Sequence, residues 1–395
     1  MSRALAYVVE VGEITPIEGA DRIELAHVRG WTVVIKKGEF KEGEKGVYFE
    51  VDSKVPENDE RFAFLANKGY KIKTMKLNKF RVYSQGLLMP MREFPEFSSC
   101  AVDTDLTDKL GVIYAKAEDN ARKAEFDNNA MYSSMEQRRA NLFKKRWAKW
   151  MMRRTWGKKV MFFFFGKKKI DNKKFPTQFK YIKKTDQARI ENMTWVLNDE
   201  TPFIKTEKCD GSSATFILER RPLKRFKFYV CSRNVRMLPD QHTFFVNSNP
   251  YWEMAVRYDI ENKLRDYLNK HKNLKYVCWQ GEICGPSIQG NPHHLSRRHL
   301  FLFHMIDSEK GFYDIREAKQ IWNNYQMESV PIVDENYLLP KDLEEFKISA
   351  DGYYNSSVCE GDERCMREGY VYYKTTDPSF SFKNVSREYL MKKGE

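Results

Sequence analysis

The stretch TEKCDG, residues 206–211, combines a lysine, a carboxylate and a glycine within four positions. A lysine amine becomes a nucleophile when burial or neighbouring cations favour its neutral form. Apolar and polar residues alternate in FIKTEK before the motif and in SATFILE after it, which predicts a strand on each side. Asp-Gly between two such runs is also a strong hairpin signal, so Lys208 has a second interpretation as a solvated turn residue.

Other groups able to bind phosphate or a metal stand at or near the ends of strand-like apolar runs. They are Arg233 in CSRN, Glu282 in WQGEICGPSIQGN, Phe303 and Asp307 in LFLFHMID, Glu368 and Lys374 in REGYVYYK, and Lys383 in SFSFKNVS. Each alone has an ordinary explanation, such as a surface arginine, a turn carboxylate, a core phenylalanine or a solvated lysine. Their order along the chain argues against coincidence.

That ordered set resembles the motif series of the covalent nucleotidyltransferases, which comprise DNA ligases, RNA ligases and capping enzymes. The stretches KKTDQARIEN, GEICGPSIQGN and REGYVYYK with SFKNVSREYLMKK resemble the ATP-dependent RNA ligases of the Naegleria type, which carry an N-terminal OB module. The stretches IEGADRIELAHVRGW, KKGEFKEGEKGVYFEVDSKVP and SQGLLMP resemble that module. The resemblance covers most of the chain and is weakest from about 115 to 170.

The resemblance implies an enzyme that seals RNA ends with ATP and with Mg²⁺ or Mn²⁺. Lys208 would attack the α-phosphorus of ATP, giving a lysyl-AMP and pyrophosphate. AMP would then pass to a 5′-phosphate, and a 3′-hydroxyl would displace it. The implied partner is RNA or an RNA-containing duplex with a 5′-phosphate end, nicked so that ribonucleotides lie on the 3′-hydroxyl side.

The resemblance also implies roles for individual residues. Arg233 would hold a phosphate or a ribose hydroxyl, Phe303 would stack on adenine, and Arg189 would reach the outer phosphates unless it pairs with Glu191 or Asp186. The implied metal ligands are Asp210, Glu282 and Glu368. The implied nucleotide-binding set joins these to Lys208, Gly211, Arg233, Phe303, Lys383 and Arg189.

One departure from the wider superfamily concerns the last motif. Many members show Lys-x-Lys there, whereas this chain has Ser381, Phe382 and Lys383. Two lysines are therefore candidates for contact with the α-phosphate, Lys383 and Lys374.

The elements that must position these residues predict an α+β protein with three regions. Residues 1–110 show short strands separated by turns, which indicates an OB-like β-barrel. Residues 111–174 are expected to be a linker with a basic, tryptophan-rich helical segment. Residues 175–395 are expected to form the nucleotidyltransferase domain, with ATP-grasp-like antiparallel sheets and helices, including one long helix in NPYWEMAVRYDIENKLRDYLNKH.

The positive charge is concentrated in one segment. The chain carries a net charge of +13, and residues 138–169 contain thirteen Lys or Arg and no Asp or Glu. Trp147, Trp150 and Trp156 are interleaved with these cations, a pattern typical of nucleic-acid binding. Two other interpretations remain open, a basic amphipathic helix on an anionic membrane and a helix docked in a domain interface.

Composition excludes several classes of protein. With 42% hydrophobic and 14% aromatic residues, the chain is expected to fold into a globular protein without a membrane span, acting inside the cell as a monomer. Seven cysteines without a paired CxxC motif indicate reduced thiols. Metal sites at His293, His294 and His299 or at Cys359 and Cys365 are only weakly indicated.

Alternative functions are a DNA ligase, a GTP-using capping enzyme, a non-catalytic RNA-binding protein and a membrane-surface protein. The first two usually place the OB domain after the catalytic domain, so the observed order favours an RNA ligase. The sequence does not distinguish cytoplasm, nucleus and organelle.

Overall fold

The computed structural model describes residues 4–115, 173–176, 179, 182, 187–223, 225–233, 235–237, 249–354, 358–360 and 364–393. The basic segment 138–169 lies outside the described residues. The chain divides into two compact units, Met1–Phe165 with Leu390–Glu395, and Gly166–Tyr389. The predicted boundaries near residues 110 and 174 stay a prediction. In the described ranges, no helix combines the length and the apolar character needed to cross a membrane.

The first unit is built from short antiparallel strands. They are β1 (Ala6–Glu10), β2 (Ile14–Pro16), β3 (Ile23–Val28), β4 (Trp31–Lys36), β5 (Lys45–Phe49), β6 (Ser53–Lys54), β7 (Met75–Leu77), β8 (Val82–Ser84), β9 (Leu87–Pro90) and β10 (Ile113–Tyr114). The sheets have the orders β1-β5-β9 and β2-β3-β4, with β7-β8 and β6-β10 as two-stranded pairs. The predicted strands in this region are confirmed.

Strand β1 is apolar on both faces, which explains its uninterrupted run AYVV. Ala6 and Val8 join one buried cluster with Phe49, whereas Tyr7 and Val9 join a second cluster with Trp31. A strand covered on both sides loses the alternation that marks a half-exposed strand. The two clusters therefore account for the apolar content of the first 110 residues.

The second unit contains two larger sheets and several helices. Its strands are β11 (Lys173–Lys174), β12 (Ala188–Arg189), β13 (Phe203–Glu207), β14 (Ser212–Arg221), β15 (Arg225–Ser232), β16 (Val235–Met237), β17 (Tyr276–Cys284), β18 (His299–Asp307), β19 (Gly311–Phe312), β20 (Ile332–Tyr337), β21 (Gly369–Lys374) and β22 (Asp377–Val385). Its helices are α1 (Pro250–Arg257), α2 (Ile260–Lys270), α3 (Ile315–Asn324), α4 (Leu343–Ile348) and α5 (Arg387–Lys393). In their described parts, the sheets have the orders β11-β16-β15-β14-β17-β18-β19 and β12-β22-β21-β13-β20.

The larger sheet is covered on one face by helices. Ala214, Phe216 and Trp279 share a buried cluster with Leu264 of α2 and Trp322 of α3. The neighbouring strand positions point to the opposite face. On that face Ile217 and Cys278 form a smaller cluster.

The Asp-Gly hairpin prediction is wrong. Strand β13 belongs to the smaller sheet, where it pairs with β20 and β21, and β14 belongs to the larger sheet, where it pairs with β15 and β17. Residues 208–211 therefore carry the chain from one sheet to the other. Strand β13 ends at Glu207, so Lys208 and Asp210 lie in the crossing segment.

The single long helix that the sequence predicts is two helices. The chain breaks between α1 and α2 at Tyr258 and Asp259, and Asp259 adopts a left-handed backbone with φ of 49°. A left-handed residue cannot continue a right-handed helix. The three-to-four periodicity survives the break because both helices pack on the same sheet face.

Candidate active site

Lys208 lies at the point where the chain leaves the smaller sheet. Its backbone N–H donates to the carbonyl of Gly369 at 3.0 Å, and its carbonyl accepts from the Tyr354 hydroxyl at 2.5 Å. Its side chain is only 20% exposed. A buried lysine at a strand end, with its backbone held on both sides, is a fixed group and not the solvated turn lysine of the hairpin interpretation.

Carboxylates surround the Lys208 amine. Its Nζ lies 2.8 Å from Oε1 of Glu368. Burial alone would lower the pKa of Lys208, but the charges of Glu368 and Glu282, followed by that of Asp210, outweigh it and raise the pKa above its ordinary value. Without a bound ligand, Lys208 is therefore a protonated ammonium in an ion pair.

Glu282 lies on β17, opposite Ser213 of β14 and Phe301 of β18. Burial raises the pKa of Glu282 to about 8, and the neighbouring charges of Glu368 and Asp210 act in the same direction. Lys208 and Arg233 oppose that rise without cancelling it. Lys208 and Arg233 therefore do not fully compensate the Glu282 carboxyl, and a bound cation would add the missing positive charge.

Asp210 is fixed by two residues that lie far from it in the sequence. Its backbone N–H donates to Nε2 of His293 at 3.1 Å, and its Oδ2 accepts from the Tyr389 hydroxyl at 2.5 Å. His293 is fully buried, and its Nδ1 lies 4.0 Å from Sγ of Cys359. His293 therefore positions the loop, a role that differs from the metal ligand considered for it in the sequence.

Tyr354 joins the two sides of the ion pair. Its hydroxyl donates to the carbonyl of Lys208 and accepts from the backbone N–H of Glu368 at 3.2 Å. Its ring lies against that of His293, with centroids 5.0 Å apart. The Tyr354 hydroxyl thus fixes the distance between the Lys208 carbonyl and the Glu368 backbone N–H.

Lys383 and Arg189 lie in one row across the smaller sheet. Arg189 pairs in register with Lys383, Lys383 with Val371, and Val371 with Thr206, two residues before Lys208. Lys383 is therefore two strands, or about 10 Å, from the strand that carries Lys208. Arg189 is buried on β12, so the predicted helix-surface position for it is wrong.

Lys374 lies at the other end of β21. It pairs in register with Phe203, five residues before Lys208, so the two backbones are about 17 Å apart. Its Nζ forms an ion pair with Oδ2 of Asp199 at 2.5 Å, and this hydrogen bond is the main reason that the pKa of Asp199 falls to about 2. Lys383 therefore lies at the end of the smaller sheet near Lys208, whereas Lys374 lies at the other end.

Gly211, Arg233 and Phe303 complete the predicted set. A Cβ on Gly211 would lie 2.3 Å from the carbonyl oxygen of Ile283 and 2.9 Å from Cγ of Glu282, so the loop packs directly on β17. Arg233 follows β15 and lies close enough to Glu282 to affect its pKa. Phe303 is 9% exposed and belongs to the core cluster of the larger sheet.

Two comparisons with known proteins bear on this geometry. A family model described as RNA ligase matches residues 201–388, which contain every predicted site residue except Arg189, and an OB-fold domain model matches residues 5–91. An apo Naegleria gruberi RNA ligase variant is 31% identical, with a TM-score of 0.71 over 99% of this chain and 98% of that chain. The chain belongs to the RNA ligase family.

Other solved forms of the same ligase extend the match. A variant with ATP and Mn is 30% identical, with a TM-score of 0.73 over 100% of both chains. The ligase with pyrophosphate is 30% identical, with a TM-score of 0.71 over 99% of this chain and 98% of that chain. A comparison with curated proteins gives no match. The predicted α+β ligase with an N-terminal OB-fold domain is thereby confirmed.

The predicted metal set of Asp210, Glu282 and Glu368 stays a prediction. Within the ranges that the structure covers, no three His, Cys, Asp or Glu side chains are close enough to hold a metal ion. One oxygen of Glu368 forms an ion pair with the Lys208 ammonium, and one oxygen of Asp210 accepts a hydrogen bond from the Tyr389 hydroxyl. A hydrated Mg²⁺ or Mn²⁺ needs few protein ligands, so Glu282 and Glu368 alone still fit such an ion.

The sequence missed two tyrosines of the ligase site, Tyr354 and Tyr389, and the histidine between the two sheets, His304. The two tyrosines lie 146 and 179 positions from their partners, so no local spacing points to them. His304 of β18 contacts Tyr373 of β21 with centroids 5.5 Å apart, and burial lowers its pKa to about 4. The two sheets therefore meet at a neutral imidazole. All seven cysteines are free, as predicted.

Proposed function

We propose that this ligase seals 3′-hydroxyl and 5′-phosphate RNA ends with ATP, through a covalent AMP on Lys208. The observation that carries the proposal is the buried Lys208 amine, 2.8 Å from Glu368 at the crossing between the two sheets. The Naegleria gruberi RNA ligase, solved with ATP, AMP, pyrophosphate and Mn, supports it. The proposed substrate is a nick in a duplex with RNA on the 3′-hydroxyl side.

The first step requires that Lys208 lose its proton. Glu368 holds the amine in place, and Lys208 becomes nucleophilic when positive charge arrives near the carboxylates and lowers its pKa. A divalent ion bound by Glu282 and Glu368 would supply that charge. The amine nitrogen then forms a bond to the α-phosphorus as the bond to pyrophosphate breaks.

Cationic residues would stabilise the phosphates during this step. Lys383 lies in the row across the sheet that leads toward Lys208, and Arg189 lies beside it on β12. Arg233, near Glu282, is suited to hold a phosphate or a ribose hydroxyl through its planar guanidinium. Catalysis by such a site consists mainly of positioning and charge neutralisation.

The remaining steps use the same groups. AMP passes from Lys208 to the 5′-phosphate of the nick, and the 3′-hydroxyl displaces AMP as the phosphodiester forms. Phe303 is the proposed adenine contact, although its burial means that only a ring edge or a small movement would expose it. The proposal includes a monomer in a reducing compartment, consistent with seven free thiols.

Self-labelling tests the proposal. The protein is incubated with α-labelled ATP or GTP and Mg²⁺ or Mn²⁺, denatured and separated, with Lys208→Ala run beside it. We expect label from ATP alone, resistant to denaturation and absent from the variant. Label from GTP would indicate a capping enzyme. No label, together with an intact mass that excludes bound AMP, would refute the proposal.

A nick-sealing assay tests the substrate. Nicked duplexes with RNA or DNA on the 3′-hydroxyl side are offered to wild type and Lys208→Ala. We expect sealing only by wild type and at least tenfold faster with RNA on that side. Faster sealing of an all-DNA nick would assign the protein to DNA ligation.

A further inference from the structure

Charge in the described part of the first unit is strongly segregated. Residues 61–92 contain eight Lys or Arg and no Asp or Glu, a charge of +8. The rest of residues 4–115 contains eight Lys or Arg and eighteen Asp or Glu, a charge of −10. The net charge of −2 therefore conceals a basic segment inside an acidic domain.

Four of the six exposed cations of this segment cluster on one hairpin, β7–β8. Lys73, Lys76, Lys79 and Arg81 are all exposed on this hairpin or directly before it. The salt bridges of the described residues include none of these four. Uncompensated, solvated positive charge of this density attracts polyanions.

Aromatic rings lie beneath two of these cations. Lys76 Nζ lies 5.0 Å from the ring centroid of Tyr83, and Lys79 Nζ lies 5.0 Å from that of Phe80. Both rings are partly exposed. Cations alternating with aromatic faces can contact phosphates and bases together, which is the pattern of sequence-tolerant nucleic-acid binding.

The hairpin is held by the barrel strand β4. Thr32 Oγ1 donates to the carbonyl of Tyr83 at 3.2 Å, the Val34 N–H donates to Oγ of Ser84 at 3.1 Å, and the Gln85 N–H donates to the carbonyl of Thr32 at 2.7 Å. These bonds fix the strand that carries Tyr83. Ordering the hairpin on binding therefore costs little conformational entropy.

We propose that hairpin β7–β8 is an RNA-contact surface that binds the phosphodiester backbone of the substrate. The inference rests on the proposed function and adds to it a binding surface outside the ligase unit's site. RNA is favoured over an anionic membrane because three of the four loop residues, Asn78, Lys79 and Arg81, are polar and exposed, and the fourth, Phe80, is only partly exposed with Lys79 over its ring. Met75 is the one exposed large apolar side chain of the hairpin strands. A membrane-binding loop would present apolar side chains there.

The test measures binding of the full-length protein to a nicked RNA duplex with a 5′-phosphate, across 50–200 mM KCl, by anisotropy. The test variant combines Lys76→Ala, Lys79→Ala and Arg81→Ala. The matched control combines Lys36→Ala, Lys37→Ala and Lys41→Ala, which removes the same charge from exposed lysines in the acidic part of the unit. A charge-preserving variant combines Lys76→Arg and Lys79→Arg, and thermal unfolding verifies that every variant folds.

We expect the test variant to bind RNA at least tenfold more weakly at low salt. Its salt dependence should be smaller by about one unit of slope for each phosphate that the hairpin no longer neutralises. The control and the arginine variant should bind like wild type. Equal weakening in test and control variants would overturn the proposal. So would unchanged RNA binding with loss of binding to phosphatidylserine vesicles.

The proposed function is assessed separately by self-labelling of wild type with α-labelled ATP. A labelled wild type whose hairpin variant binds RNA normally overturns only the surface proposal. An unlabelled wild type that carries no AMP overturns the ligase mechanism, on which the surface proposal rests.

Discussion

At the scale of single residues, the carboxylates of the site control the protonation of Lys208. Glu368 and Glu282 raise the pKa of Lys208, and burial raises that of Glu282 to about 8. Both groups therefore carry the proton that the reaction needs removed. In the proposed mechanism, the carboxylates that position the amine would also keep it protonated until substrate and metal bind.

This arrangement predicts a pH dependence for self-labelling. Since only ionised Glu282 would bind a cation and only neutral Lys208 would attack, both titrations make the rate rise with pH. We expect a rise approaching a hundredfold per pH unit below pH 8, where both groups titrate, and about tenfold above it, where only Lys208 does. Glu282→Gln should be slower throughout and have a shallower slope, which rapid-quench measurements from pH 6 to 9 would show. A rate that falls over this range would contradict the assignment.

The Tyr354 hydroxyl gives a second prediction at this scale. Tyr354→Phe removes the bridge between the Lys208 carbonyl and the Glu368 amide, leaving two buried backbone groups unsatisfied. If this costs about 1–3 kcal/mol of transition-state stabilisation, self-labelling becomes about ten- to a hundredfold slower. Tyr353→Phe, at a side chain 44% exposed, is the control and should label at the wild-type rate. Equal rates for both variants would remove Tyr354 from the positioning of the site.

At the scale of secondary-structure elements, the crossing between the sheets determines the site. Lys208 directly follows β13 of the smaller sheet, and Gly211 packs on β17 of the larger sheet. The sequence motif predicts these residues as a group. It did not reveal the crossing, because local alternation specifies strands but not the sheet that each strand joins.

Gly211→Ala tests the close packing at this crossing. The added Cβ would lie 2.3 Å from the Ile283 carbonyl, so the loop or β17 must move and carry Glu282 with it. We expect a loss of about 1–3 kcal/mol in stability and a much lower self-labelling rate. Gly290→Ala is the control, because its Cβ meets no atom within 4 Å and only its φ of +75° costs about 1 kcal/mol. Chemical denaturation and labelling would separate the two variants.

The smaller sheet also predicts different outcomes for its two candidate lysines. Lys383 lies in the row that leads toward Lys208, whereas Lys374 lies about 17 Å away in an ion pair with Asp199. We expect Lys383→Ala to reduce self-labelling by at least a hundredfold and Lys374→Ala to change it less than threefold. Comparable losses would mean that Lys374 reaches the phosphate in the bound state.

At the scale of the whole molecule, the positive charge predicts a difference between the reaction steps. RNA binding releases counterions from the phosphate backbone, whereas attack on ATP engages one small nucleotide. Raising KCl from 50 to 200 mM should therefore reduce nick sealing by more than tenfold at subsaturating RNA and self-labelling only a few-fold. Equal decreases in nick sealing and in self-labelling would show that salt acts at the nucleotide site.

Across the whole chain, features that depend on local pattern can be predicted from the sequence, whereas contacts between distant segments cannot. The strands of the first unit, the ligase motifs and the free thiols were predictable because each depends on local pattern or composition. His293, Tyr354 and Tyr389 were not, since they meet residues 208–210 only through packing of distant segments. The motif suggested two lysines for one role, and only the sheet register separated them.

The crossing at residues 208–211 has a consequence for synthesis of the chain. Strand β13 pairs with β21, so Thr206 Oγ1 bonds a carbonyl 165 positions away, and Asp210 bonds Tyr389. Contacts of such high contact order close late in folding. A nascent chain thus carries Lys208 for most of translation without the residues that position it. Covalent AMP would form only on fully folded molecules. In a refolding experiment, the amount of label would therefore measure the fraction of native protein.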